Sequence, residues 1–274
     1  MSIYASNEAV SLPVFFIPHG AGPCFFMDWQ PADTWDGMAS FLASITTRLP
    51  ERPKAILIIS GHWQTPEFRI TSGAKPDLIY DYYGFPEHTY DLAYPASGAP
   101  ALSERVSNLL TAAGIPNEQD AARGFDHGVF IPLKVMFPEA DIPVVQMSLR
   151  NDLDPEAHLA AGQALQSLRQ EGVLIIGSGM SFHNMRGYGD ANFTAPSEVF
   201  DDWLTDTVAA DWETRWSALA NWSKAPYATA SHPLGAEEHL LPLMVAAGAA
   251  GNDKGDKIYS EQVLKTQLSA FQFG

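Results

Sequence analysis

Cysteine is almost missing: the 274 residues contain one, Cys24. No internal disulfide can form and a thiolate metal cluster is excluded, a usage that fits a reducing compartment. Long apolar runs are also missing, since no stretch reaches the ~18 apolar residues of a membrane span. Positive charge is scarce, with 16 Lys and Arg against 32 Asp and Glu and a formal net charge of −16. A nucleic-acid backbone or an anionic membrane needs a basic face, so neither is expected as a partner. The opening run Met1-Ser2-Ile3-Tyr4-Ala5-Ser6-Asn7-Glu8 has no basic segment and no apolar core. It does not read as a secretory leader, and a cytoplasmic location is expected. Several catalytic signatures are absent: no GxSxG elbow, no GxxxxGK(S/T) phosphate loop and no HExxH. Gly177-Ser178-Gly179 lacks the third glycine of a dinucleotide-binding turn.

What is present is an ordinary globular composition, 46% hydrophobic and 18% charged, with enough apolar mass for a sizeable core. Short apolar, β-branched runs at Val14–Pro18, Ala55–Ser60, Ile142–Leu149 and Val173–Ile176 read as buried strands. Phe68–Thr71 reads as a neighbour of the Ala55–Ser60 strand. Between them lie helical stripes at Met38–Leu49, Ala99–Ala113, His127–Met136 and from Asp154-Pro155 to Leu168. A long helix is expected over Ser197–Ala220, and a last helical segment over 232–249, where Pro242 must sit in the first turn or kink the chain. Alternating strands and helices predict an α/β fold, a three-layer αβα arrangement around a mainly parallel or mixed sheet. No linker, repeat or low-complexity stretch interrupts residues 1–274, so a single domain is expected. Residues 76–95 differ: Tyr80, Tyr82, Tyr83, Phe85, Tyr90 and Tyr94 lie among prolines with little periodicity. They predict a long ordered loop.

Chemistry concentrates in the histidines, of which there are eight. His19, His62 and His183 each follow an apolar run closely, a placement that suggests one shared site at the carboxyl ends of strands. A lone histidine there is more often a polar cap; several in the same context favour metal ligation or proton transfer. His19 and His62 are the best ligand candidates, because each follows a rigid strand. His239 lies behind Glu237 and Glu238 in a segment whose neighbours face the core. His127, in Asp126-His127-Gly128, suits an acid/base role, and His183 suits either role. His232 is expected to cap a loop, and His88 and His158 to pack or face solvent.

Taken in order, six motifs resemble one family. They are Pro18-His19-Gly20, Ser60-Gly61-His62-Trp63, Tyr83-Gly84-Phe85-Pro86 with Tyr94-Pro95, and Gly124-Phe125-Asp126-His127-Gly128. Gly177-Ser178-Gly179 with His183-Asn184, and Glu238-His239-Leu240-Leu241-Pro242-Leu243, complete the set. The pattern, from about residue 13 to 270, is similar to the class III extradiol ring-cleavage dioxygenases of the LigB type, in their single-chain DOPA 4,5-dioxygenase-like branch. The resemblance implies a phosphorylase/hydrolase-like fold and a catalytic domain that opens a substituted catechol, such as DOPA or caffeate, with O2. It implies one divalent metal held by His19, His62 and His239, with His183 on or near it. It makes His127 and His183 the catalytic candidates, and Tyr82, Tyr83, Phe85 and Tyr94 candidate walls of the ring pocket. The family norm is Fe(II) on two histidines and a carboxylate; an all-histidine set suits Fe(II) or Zn(II). If residues 238 and 239 are helical, they diverge by ~100° about the axis, and only one of Glu238 and His239 faces the metal. A zinc hydrolase of similar architecture and a non-catalytic metal-binding relative are the rival readings. Self-association into a homo-oligomer is left open.

Overall fold

The computed structural model describes residues 10–274. Its strands are β1 (Val14–Pro18), β2 (Ala55–Thr65), β3 (Phe68–Thr71), β4 (Asn117–Asp120), β5 (Val144–Arg150), β6 (Val173–Gly179), β7 (Gly255–Val263) and β8 (Thr266–Phe273). They form one sheet in the order β4-β3-β5-β2-β6-β1-β8-β7. The centre, β5-β2-β6-β1, is parallel throughout. The β7–β8 hairpin adds antiparallel strands at one edge, and β3 adds one at the other.

The helices are α1 (Asp36–Ser44), α2 (Pro100–Ala112), α3 (His127–Met136), α4 (Pro155–Leu165), α5 (Thr194–Ala209), α6 (Trp212–Ala220), α7 (Ala228–Ser231) and α8 (Leu241–Ala250). They cover both faces of the sheet. A parallel strand covered on both faces reads as a near-continuous apolar run, yet its side chains still alternate between faces. Val14, Phe16, Leu57, Ile59 and Ile175 join one core with α4, α5 and α8. Phe15, Ile17, Ile56, Ile58 and Ile176 join a second core with α1 and α3. This is the expected three-layer αβα arrangement.

Helix α8 is buried along its whole length and crosses α4 at a pair of glycines. A Cβ on Gly248 would stand 2.1 Å from the Leu159 carbonyl oxygen, and one on Gly162 equally close to that of Val245, 2.1 Å. The helix backbones therefore touch, and at the other end a Cβ on Gly177 of β6 would meet the Pro242 carbonyl oxygen within 2.4 Å, so the start of α8 lies directly on the sheet.

Four expectations need correction. The Ser197–Ala220 helix is two helices: Ala210 is extended (φ −69, ψ 167), and the Asp211 carboxylate accepts from Thr214 N at 2.9 Å and caps α6. Apolar spacing runs through this break because rings from both sides stay on one face; the capping aspartate was the signal. β3 pairs with β5 and β4 rather than with β2, because β5 already occupies that edge of β2. β2 runs on through Gly61-His62 to Thr65 instead of ending at Ser60, and its register with β5 shifts between Ile59 and Gln64. The final helix begins only at Leu241, with Pro242 in its first turn. β4 and the β7–β8 hairpin add strands that the apolar runs did not reveal. Among the described residues, no helix is long and apolar enough to cross a membrane.

Gly248→Ala is expected to force α4 and α8 apart. Overpacking of this kind costs about 1–3 kcal/mol, or about 2–10 °C in melting temperature for a chain of this size. An unchanged melting temperature would show that the helices have room to separate.

Candidate metal centre

β1, β6 and β2 are adjacent and parallel, so their carboxyl ends open at one edge of the sheet. His19 follows β1 directly. His62 lies in the irregular stretch of β2, and His183 is four residues beyond β6. His239 reaches the same edge from the turn before α8, and His127 is the first residue of α3. Glycines make the convergence possible. A Cβ on Gly179 would meet the His239 carbonyl oxygen at 2.1 Å, and one on Gly128 would meet Ser60 Oγ within 2.4 Å. Met180 N then donates to the His239 carbonyl at 3.0 Å, locking that turn onto the end of β6. Gly177-Ser178-Gly179 is thus a bed for the His239 turn.

The structure brings His19, His62 and His239 together. Their ring centroids are 4.9, 5.2 and 4.7 Å apart, and one nitrogen from each falls within a common 4.8 Å group. His19 Nδ1 donates to the Gly20 carbonyl at 3.0 Å and His239 Nδ1 to Glu238 Oε1 at 2.8 Å. Each Nε2 therefore keeps its lone pair, the arrangement that prepares an imidazole for a metal. His62 Nε2 and His239 Nε2 face each other at 3.2 Å, and His19 Nε2 has no hydrogen-bond partner among the described residues. Two nitrogens on a tetrahedral ion at about 2.0–2.1 Å stand about 3.3 Å apart. The donor set fits a metal ion. Two other groups, His62-Asp81-His127 and His183-Glu238-His239, are also close. In each of these a carboxylate oxygen sits 2.8 Å from a histidine Nδ1, so a proton already fills the gap.

The electrostatics agree with a site of neutral imidazoles. Burial, reinforced by the neighbouring histidines, holds His19 and His239 well below the usual histidine range. Burial chiefly, with His127 next, lowers His62 to about 3, and burial and then His127 lower His183 to about 4.

His183 does not join the convergent set. Its ring stacks on His239 with centroids 3.4 Å apart, and its Nδ1 lies 3.7 Å from Glu238 Oε1. His127 packs against His62 instead, with centroids at 3.9 Å. The two thus flank the donor set. Glu238 does not point away from His239 as a helical neighbour would, because the two precede α8; it orients the His239 ring instead. His232 caps the Ser181 carbonyl, and His158 is a packed core residue that accepts from Arg150 N. His88 contacts the Phe26 carbonyl.

A cavity of about 270 Å³ opens over these rings, walled by Trp35, Phe85, Met180, Met185, Tyr188 and Leu264. Of the aromatic segment only Phe85 lines it. Tyr82 sets its ring edge against His127 at 5.7 Å, Tyr83 is 91% exposed, and Tyr94 is buried elsewhere. Asp81 was not singled out from sequence. Its Oδ1 accepts from both the backbone N (2.9 Å) and Nδ1 (2.8 Å) of His127. Burial works against its ionisation, but the His127 hydrogen bonds outweigh that and hold Asp81 below the usual range. A lone carboxylate inside a run of tyrosines was the available signal. Asp126, beside His127 in sequence, turns away to Ser60, Gln146 and Arg123.

Residues 13–272 match the family described as the catalytic LigB subunit of aromatic ring-opening dioxygenase. A 4,5-DOPA dioxygenase extradiol of Beta vulgaris is 39% identical over 90% of this chain and 90% of its own length. The dioxygenase tasH of Hapsidospora irregularis is 36% identical over 98% of this chain and 88% of its own. The crystal structure of the uncharacterized protein JW3007 from Escherichia coli K12 superposes with a TM-score of 0.75 at 27% identity, over 96% of this chain and 100% of that one. The chain belongs to the LigB family. Within that class it is an extradiol aromatic ring-opening dioxygenase, and the family's activity depends on a metal.

Two outcomes are expected. Gly179→Ala should push the His239 turn off β6 and lower metal retention; full metal binding by that variant would show that the turn can move without consequence. The second concerns acid. Burial lowers His158 to about 4 and His232 to about 3, while an unfolded histidine titrates near 6.5. Between those values the unfolded chain binds more protons, so stability falls as pH drops below about 6.5, by about 2 kcal/mol per histidine at pH 5. The urea midpoint of metal-free protein should fall between pH 7.5 and 5, before carboxylates titrate. A flat midpoint would mean these rings protonate in place.

Proposed function

We propose that His19, His62 and His239 hold one divalent metal through Nε2, with Fe(II) as the working ion. On this reading the chain, as one catalytic domain, opens a substituted catechol such as DOPA or caffeate beside its diol, using O2, in the cytoplasm. The observation that carries the reading is the convergence of one ring nitrogen from each of His19, His62 and His239, with the Nδ1 of His19 and of His239 already hydrogen-bonded, beneath a cavity walled by aromatic and thioether side chains.

A metal held by these three histidines would supply the redox-active Lewis acid that chemistry between a catechol and O2 requires. The remaining work belongs to the chain. Trp35, Phe85 and Tyr188 take the flat ring and keep water from it. His127, whose Nδ1 donates to Asp81, keeps the Nε2 lone pair free to accept a catechol hydroxyl proton. His183, on the His239 side, is the second proton carrier. A zinc-bound form remains compatible with three neutral imidazoles; oxygen chemistry calls for iron.

The test is anaerobic Fe(II) loading followed by a catechol panel, with oxygen uptake and visible absorbance as readouts. Ring opening with stoichiometric oxygen uptake is expected with Fe(II) and not with Zn(II). Hydrolysis with zinc and no oxygen consumption would point to the hydrolase reading. His19→Ala and His62→Ala should each lose stoichiometric metal; if both keep a full equivalent, the donor set is wrong.

A further inference from the structure

Asp81 lies outside the donor set, yet it touches both sides of the chemistry. Its Oδ1 takes two hydrogen bonds from His127, and its Oδ2 stands 3.7 Å from His62 Nδ1, too far for a hydrogen bond. The Asp81 side chain is 23% exposed and that of His127 only 6%.

The segment that carries Asp81 is firmly held. Ile79 N donates to the Phe125 carbonyl and Phe125 N to that of Asp77, each at 2.8 Å, so the chains before Asp81 and before His127 are tied to each other. Tyr80 and Tyr82 bond back to the Leu92 and Thr89 carbonyls, both at 2.6 Å, closing the aromatic segment on itself. Asp126 cannot substitute. Its Oδ1 accepts from Ser60, and its Oδ2 from Gln146 and Arg123.

We propose that Asp81 is the positioning residue for His127, fixing the ring with its proton on Nδ1 and its Nε2 lone pair toward the cavity. The aromatic segment is then the mount of the proton carrier as well as a wall. Without the carboxylate the imidazole can take the other tautomer or rotate, and the fraction ready to accept a substrate proton falls. Carboxylates that orient a metal-bound histidine through its second nitrogen are typically worth about 10–100-fold in metal affinity or activity, and a loss on that scale is expected for His127. This inference rests on His127 being the proton carrier proposed above.

The experiment uses full-length, iron-loaded protein with metal content measured for every variant: Asp81→Ala, Asp81→Asn, His127→Ala and the Asp81→Ala/His127→Ala double. Asp81→Ala should keep its metal, lower kcat per bound metal about 10–100-fold and leave KM within about twofold. Asp81→Asn should recover part of the loss, since its amide oxygen can still accept both His127 hydrogen bonds. The double variant should be no slower than His127→Ala alone, because a positioning residue has nothing left to position. If Asp81→Ala fails to fold, Asp81→Asn and its double with His127→Ala complete the same cycle. Normal kcat in Asp81→Ala, loss of its metal, a change in KM alone, or a further loss in the double variant would each overturn the proposal. Normal turnover in His127→Ala would remove the proton-carrier role and this inference with it, whereas a slow His127→Ala beside a normal Asp81→Ala would sink only Asp81.

Discussion

A buried imidazole aims a lone pair at a chosen point only if its other nitrogen is committed to a fixed partner. That requirement organises this molecule. His19 spends Nδ1 on the backbone of Gly20, His239 on Glu238, and His127 on Asp81. Each partner comes from a different kind of element: a strand-end loop, the turn before a buried helix, and an aromatic segment. Burial then keeps the rings neutral, since an uncompensated positive charge in so enclosed a place is costly.

The sheet brings these partners to one place. Parallel neighbours share an edge for their carboxyl ends, so β1 and β2 bring His19 and His62 together and β6 sets His183 at their flank, stacked on His239. The His239 turn must then lie directly on the end of β6, and it can do so because Gly179 has no side chain to collide with it. Behind it, the glycine crossing of α4 and α8 sets the depth of that helix.

The relatives supply the reaction class, and the cavity gives physical reasons for it. An apolar, partly aromatic wall over a cluster of neutral imidazoles suits a flat ring that must surrender a hydroxyl proton. The two histidines outside the donor set flank it, one against His62 and one against His239. On the proposed reading, proton acceptance and proton return fall to histidines on different sides of the donor set.

The sequence alone determined the αβα class, the central strands and the grouping of strand-end histidines. Each rests on local grammar: apolar runs of strand length, glycines at their ends, and a ring delivered by the next loop. The family resemblance added His239, which no spacing rule would have linked to His19. Local grammar failed where distant segments chose the outcome. It ran one helix through Ala210 because packing on a single face hides a break, and it paired β3 with β2 because it could not see β5 on that edge. It placed Glu238 and His239 on a helix that starts only at Leu241, and so missed that the carboxylate orients the imidazole. Above all it could not name the carboxylate that serves His127: Asp126 is adjacent in the chain but turns away to Ser60, Gln146 and Arg123. Adjacent residues at the start of a helix point in different directions, and only the tertiary fold could bring Asp81, 46 positions away, to the ring nitrogen.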